Sequence, residues 1–114
     1  MLKVTDIDTQ IIDEEKAQKI VSLIMARASS VQGLAVSSEI QDLGEFVLFS
    51  LDASKSDAAW PLKSQEELLK TLASDLSTEL PERNDDYRWM VTVLVGGKVV
   101  NSCFGGWRGK PPVL

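Results

Sequence analysis

A glycine pair near the C-terminal end, Gly96-Gly97, constrains the fold of this chain more than any other sequence feature. It separates two β-rich runs, YRWMVTVLV over residues 87–95 and KVVNSCFGG over residues 98–106. A two-residue hairpin loop needs positive φ at its central positions, and glycine adopts positive φ without steric cost. The sequence therefore predicts a β-hairpin with this glycine pair at its tip.

The position of the tip also predicts the register of the hairpin. If Val95 pairs with Lys98, regular pairing places Trp89 opposite Phe104. We expect these two rings to be buried together beneath the helices. The predicted buried face comprises Tyr87, Trp89, Val91, Val93, Val100 and Phe104, and the opposite face comprises Arg88, Met90, Thr92, Leu94, Val99, Asn101 and Cys103.

Two segments carry apolar residues at helical spacing. The first, over residues 13–30, begins with Asp13, whose carboxylate can cap the first turn. The second begins with Ser64-Gln65-Glu66-Glu67, which has the serine-to-glutamate spacing of a capping box. Pro81 cannot continue a helix and ends this segment. We therefore predict one helix from about residue 13 to 30 and another from Ser64 to Pro81.

Three further runs are interpreted as strands: LKVTDI near the N-terminus, VQGLAVSS over residues 31–38 and EFVLFSLD over residues 45–52. The third run is apolar on both faces, which is typical of a central strand covered on both sides. The polar segment EIQDLGE is interpreted as a connection. The resulting order, β-α-β-β-α-β-β, predicts an α+β fold in which two helices pack on an antiparallel or mixed sheet of four to five strands.

Length and composition favour one compact domain over residues 1–114. We expect its C-terminal end, from about residue 105, to be flexible because Gly105, Gly106, Gly109 and two prolines occur there. No apolar run is long enough to cross a bilayer, which favours a cytoplasmic protein. The absence of histidine excludes Ser-His-Asp, Cys-His and ordinary zinc chemistry, and the sequence predicts no cofactor and no metal.

Charge is distributed unevenly along the chain. The net charge is −5, yet residues 87–114 contain four basic residues and no acid. An acidic chain is repelled by nucleic acid and by anionic membranes, so neither is an expected partner. The acidic majority instead favours a protein partner with a basic surface.

Four residues are candidate contacts for a partner: Trp107, Arg108, Trp60 and Arg88. Tryptophan and arginine are enriched at interface hot spots, and the Trp107-Arg108 pair lies in the basic C-terminal part. The alternative for Trp107 is that its ring folds back over the edge of the core while Arg108 lies in solvent. Trp60 either lines a pocket or covers the second helix.

Other side chains offer weaker chemistry. The pairs Asp6/Asp8 and Asp85/Asp86 are interpreted as solvated surface, because a Mg²⁺ or Ca²⁺ site needs more oxygen ligands. The only cysteine, Cys103, is interpreted as a small buried side chain. No helix follows the C-terminal glycines, which excludes a phosphate-binding loop.

These observations favour a small, non-catalytic protein–protein interaction module of the inhibitor, immunity or regulatory-adaptor type. The alternative is a small-molecule-binding domain, or an enzyme with carboxylate or Tyr/Arg chemistry, with a pocket between the Trp60 loop and the hairpin end. Homodimer formation through the C-terminal strand is compatible with both hypotheses.

Overall fold

The computed structural model describes residues 13–28, 36–53 and 60–114. These residues form two helices and four strands. In chain order, the elements are α1 Glu14–Ala28, β1 Ser37–Asp42, β2 Val47–Asp52, α2 Leu62–Glu79, β3 Trp89–Val95 and β4 Lys98–Gly105.

The four strands form a mixed sheet in the order β1-β2-β3-β4. Both hairpins, β1-β2 and β3-β4, are antiparallel, whereas β2 and β3 run parallel. A parallel neighbour requires a crossover connection, which here is α2. The predicted α+β fold with two helices is confirmed, as is the central position of β2. A fifth strand is not shown, and the predicted strand LKVTDI lies outside the described residues.

The core lies between one face of the sheet and both helices. Alternate residues of β2, namely Val47, Phe49 and Leu51, are fully buried on this face. Ile24 of α1 and Leu72 of α2 belong to the same buried cluster, so both helices cover the same side of the sheet. Within the described part of the chain, neither helix covers the other face.

The predicted hairpin forms, but its predicted register is wrong beyond the first pairs. A β-bulge between Val93 and Leu94 shifts the pairing, so that Trp89 lies opposite Gly105. One extra residue on a bulged strand moves every later side chain to the opposite face. Trp89 is therefore fully buried as predicted, whereas Phe104 lies on the face without helices and is only half-buried.

The same shift places Cys103 on the buried face and explains the two glycines that follow Phe104. A Cβ atom at Gly105 would lie 2.6 Å from Cζ2 of Trp89. At Gly106, where φ is +82°, a Cβ would lie 2.5 Å from Cβ of Arg88. The Trp89 ring thus lies across a stretch of backbone that has no room for side chains.

Helix α1 closely matches its prediction, but α2 begins earlier than predicted. Asp13 caps α1, because its Oδ1 accepts a hydrogen bond from the Lys16 amide at 2.7 Å. The predicted capping box at Ser64 is wrong, since α2 starts at Leu62 after Pro61 and no side chain caps it. The fixed φ of proline already suits a helix start.

The segment EIQDLGE, interpreted as a connection, contains most of β1. This strand has alternating burial, with Ser38, Ile40 and Asp42 facing inward. Two of these three inward residues are polar, which explains why the strand has no apolar alternation in the sequence. Asp42 is accommodated because its Oδ1 accepts a hydrogen bond from the Gly44 amide at 2.9 Å.

Ion pairs join the exposed margins of the two helices. The Glu79 carboxylate of α2 forms ion pairs with two lysines of α1: its Oε2 lies 3.2 Å from Lys16 Nζ and its Oε1 lies 3.1 Å from Lys19 Nζ. Hydrogen bonds from Lys19 and Lys16 lower the pKa of the Glu79 carboxyl. One turn earlier on α2, Asp75 Oδ2 lies 3.4 Å from Nε of Arg27 in the last turn of α1.

Candidate interaction surface

The chain turns back after β4 and returns along its outer edge. Phe104 and Val113 exchange two backbone hydrogen bonds, of 3.0 Å and 2.8 Å. Between them, the Lys110 amide donates to the Trp107 carbonyl at 3.0 Å, and Gly109 has φ +80°. Positive φ at the third residue is typical of a type II turn. We call residues 106–114 the C-terminal return.

Trp107 is half-buried at the base of this turn. Its ring meets Tyr87 edge-on at 5.1 Å between centroids, and Tyr87 meets Phe104 at 4.7 Å. The indole Nε1 donates to the Asn84 carbonyl at 3.2 Å, while the Lys110 ammonium lies 5.4 Å from the ring centroid. Trp107 therefore anchors the return to the rest of the chain and keeps part of its ring accessible.

The Arg88 side chain hydrogen-bonds to two loops, the one after α2 and the one between β1 and β2. Its Nε donates to the Pro81 carbonyl and its Nη1 to the Glu45 carbonyl, both at 2.9 Å. Arg83 also reaches the Glu45 carbonyl, at 3.3 Å. Burial, followed by the neighbouring Arg83 charge, lowers the pKa of Arg88. These contacts engage the Arg88 guanidinium with backbone oxygens of the protein itself.

The other two candidate contacts lie in different settings. Arg108 is exposed beside Trp107, and its Nε lies 3.8 Å from Glu82 Oε1. Trp60 is only 8% exposed and belongs to the core, with its carbonyl accepting a hydrogen bond from Gln65 Nε2. The structure thus brings Trp107 and Arg108 together, places Arg88 in a loop clamp, and buries Trp60.

Exposed apolar side chains concentrate around β4. Among the described residues, eight large apolar side chains are exposed, and five of them belong to the hairpin tip or the C-terminal return. Exposed apolar side chains of this kind are candidates for contact with a partner. We call these five residues the β4 margin: Val95, Val99, Val100, Val113 and Leu114, which are between 40% and 62% exposed.

A groove of about 540 Å³ lies beside this margin, between α2 and β4. Its wall on the α2 side has two lysines and two glutamates, and Leu114 of the β4 margin closes the other side. Asn101 joins the two elements, since its Nδ2 lies 3.3 Å from Gln65 Oε1. The lining residues are Lys63, Glu66, Glu67, Leu69, Lys70, Asn101 and Leu114.

The outer edge of β4 carries features that disfavour pairing with another strand. Val113 already occupies the backbone groups of Phe104. The Ser102 amide donates to Asn101 Oδ1 at 2.9 Å, and the bulge adds Val100 as an unpaired residue. Bulges and side-chain capping are common protections of sheet edges. Contacts at the β4 margin would therefore be made by side chains.

Sequence reasoning missed the β4 margin. Val99 and Val100 are consecutive in the sequence, so strict alternation assigned one of them to the core. The bulge instead leaves both exposed, at 59% and 46%. A usable signal was present, because three valines, Val95, Val99 and Val100, closely flank the glycine tip.

Two further findings concern Cys103 and the acidic side chains of the described residues. Burial raises the pKa of the Cys103 thiol to about 12, and its Sγ lies 3.8 Å from the Leu69 carbonyl oxygen. Across residues 13–28, 36–53 and 60–114, no three acidic or cysteine side chains are grouped so that they could hold a metal ion. Asp6 and Asp8 lie outside these ranges.

Neither helix in the described part of the chain is both long and apolar enough to span a membrane. Comparisons with protein-family models, curated proteins and solved structures find no match for this chain.

Proposed function

We propose that this chain is a small, non-catalytic cytoplasmic interaction module, an inhibitor, immunity-type protein or regulatory adaptor, that binds a protein partner through the β4 margin. The observation that supports the proposal is that five of the eight large apolar side chains exposed among the described residues lie at the hairpin tip or in the C-terminal return. Burying such side chains against a partner supplies the main favourable free energy of association.

The charge around the margin defines the complementary partner surface. Lys98 and Lys110 belong to the margin's surroundings, and residues 87–114 contain no acid. An apolar patch rimmed by carboxylates would complement this side. The basic partner expected from the net charge would instead meet residues 1–86, where all 17 acids lie. Both arrangements accelerate association and make it salt-sensitive.

The test is capture of partners from a host extract by three immobilised forms of the full chain. Val100→Lys places a charge in the β4 margin, whereas Met25→Lys places one on α1 at similar exposure, 39% against 46%. We expect a protein that wild type and Met25→Lys both retain, and that Val100→Lys loses. Equal retention by all three forms would contradict binding through the margin.

The groove supports a second candidate, binding of a small molecule. Its volume of about 540 Å³ is in the range that holds such ligands, and it lies near both the start of α2 and the hairpin. Thermal-shift screening against metabolites tests this candidate, because a ligand that binds only the folded state raises Tm. A stabilising metabolite whose effect is lost in Asn101→Ala would favour it over the interaction module.

A further inference from the structure

The C-terminal return consists of two parts that are held to the rest of the chain differently. Its first part, residues 106–108, pairs with the segment after α2. The Arg83 amide donates to the Gly106 carbonyl at 2.7 Å, and the Arg108 amide donates to the Arg83 carbonyl at 2.8 Å. Gly106 is also buried. We call residues 106–108 the anchor and residues 109–114 the strap.

The strap is more exposed than the anchor and is held by fewer contacts. All six of its residues are exposed. Two backbone hydrogen bonds, exchanged by Phe104 and Val113, join it to β4, and the Lys110 ammonium lies 5.4 Å from the centroid of the Trp107 ring. These few contacts must offset the loss of conformational freedom in six residues. The closed strap is therefore only modestly favoured over an open one.

Gly109 is placed to act as the hinge between the anchor and the strap. Its φ is +80°, and a Cβ atom there would meet nothing within 4 Å. Glycine can change its backbone conformation at little steric cost. Opening here breaks the hydrogen bond from the Lys110 amide to the Trp107 carbonyl but none of the anchor's contacts with residue 83. Beyond the hinge, Pro111 and Pro112 have a fixed φ, so the strap keeps an extended form in either position.

The position of the strap determines whether the β4 margin is complete. Val113 and Leu114 belong to the strap, whereas the other three residues of the margin belong to the hairpin tip. Leu114 also closes one side of the groove between α2 and β4. An open strap would therefore remove two of the five margin side chains and one wall of the groove.

We propose that residues 109–114 open and close on β4 as a strap, and that only the closed strap assembles the β4 margin and its groove. A two-state element of this kind is coupled to any ligand that prefers one of its states. A partner that contacts both parts of the margin would hold the strap closed, and this coupling rests on the function proposed above. The opening itself is a property of the free protein.

Hydrogen–deuterium exchange of the free full chain tests the opening. Corrected for intrinsic rates, the Phe104 and Val113 amides should exchange alike and at least about tenfold faster than the Arg83 amide, which the anchor holds. Gly109→Ala makes the positive φ of the closed strap costly, so exchange of both strap-bound amides should rise roughly 5–30-fold. Gly97→Ala has the same backbone penalty at the hairpin tip and should leave them unchanged. Protection equal to that of Arg83, or no response to Gly109→Ala, would overturn the proposal.

A stronger variant tests whether closure assembles the margin. A β-branched residue is poorly tolerated at positive φ, so Gly109→Val should leave the strap open in most molecules, and circular dichroism establishes that the rest of the fold is intact. A partner captured by wild type should bind Gly109→Val at least about tenfold more weakly, because only the closed fraction is competent.

The same comparison separates this inference from the proposed function. Loss of the partner in Val100→Lys together with wild-type affinity in Gly109→Val would keep the proposed function and overturn assembly of the margin by the strap. If wild type captures no partner, the proposed function fails, and the exchange of the Phe104 and Val113 amides still decides whether the strap opens.

Discussion

The contact between Trp89 and the backbone after β4 gives a quantitative prediction. Gly106 has φ +82° and Gly97 has φ +78°, so alanine at either position incurs a similar backbone penalty of about 1–2 kcal/mol. The two sites differ in their surroundings. A Cβ at Gly106 would lie 2.5 Å from Cβ of Arg88 and 3.0 Å from Cδ1 of Trp89, whereas at Gly97 nothing lies within 4 Å.

Gly106→Ala should therefore destabilise the protein by more than Gly97→Ala does. Overpacking costs about 1–3 kcal/mol, and this amount is the expected difference between the two variants. Urea unfolding measures it directly, and Tm should differ by about 4 °C for each kcal/mol. Gly109→Ala, where φ is +80° and space is open, is a second control that should match Gly97→Ala.

Equal free energies of unfolding for Gly106→Ala and Gly97→Ala would refute this reasoning. That result would mean that Arg88 and the Trp89 ring can both move away from Gly106 at no cost. The packing around Gly106 would then not explain why glycine occupies this position.

Three further outcomes follow from individual side chains. Arg88→Lys should lower the free energy of unfolding by about 1–3 kcal/mol, because lysine cannot reach both the Pro81 and Glu45 carbonyls. The control Arg108→Lys should change it by less than about 0.5 kcal/mol. Equal effects in urea unfolding would show that the contacts of Arg88 contribute nothing to stability. Glu79→Gln should be less stable than wild type at neutral pH, and this difference should vanish as pH falls below 4.5. The pKa of the Glu79 carboxyl is lowered in the fold, so the carboxylate stabilises the protein only while it is ionised. A difference that persists in acid would contradict this ion-pair origin. Cys103 should react with a thiol reagent at pH 8 only as fast as the protein unfolds, because the thiol is buried and its pKa is raised to about 12. Modification at the rate of a free cysteine would contradict this burial.

Local sequence signals predicted the elements whose pattern is regular. The Gly96-Gly97 tip, the Asp13 cap and the end of α2 before Pro81 each depend on a single residue with a strong conformational preference. The helix-facing residues of β2 are likewise uninterrupted apolar side chains. These features need no information from distant parts of the chain.

The register of the hairpin and the position of β1 depended on tertiary contacts that no local pattern encodes. Because of the bulge between Val93 and Leu94, Cys103 rather than Phe104 lies on the buried face, with its Sγ 3.8 Å from the Leu69 carbonyl oxygen of α2. β1 accommodates the inward-facing Asp42 because its carboxylate accepts a hydrogen bond from the Gly44 amide. The same bulge exposes Val99 and Val100, which strict alternation had divided between the two faces of the sheet.

Hydrogen–deuterium exchange on the full chain, with and without a partner captured by wild type, tests the binding surface most directly. We predict that the partner slows exchange at residues 98–102 and 113–114 and along the α2 side of the groove. Exchange in α1 and at residues 83–86 should remain unchanged. Slower exchange confined to α1 or to residues 83–86, with the β4 margin unaffected, would contradict the proposed function.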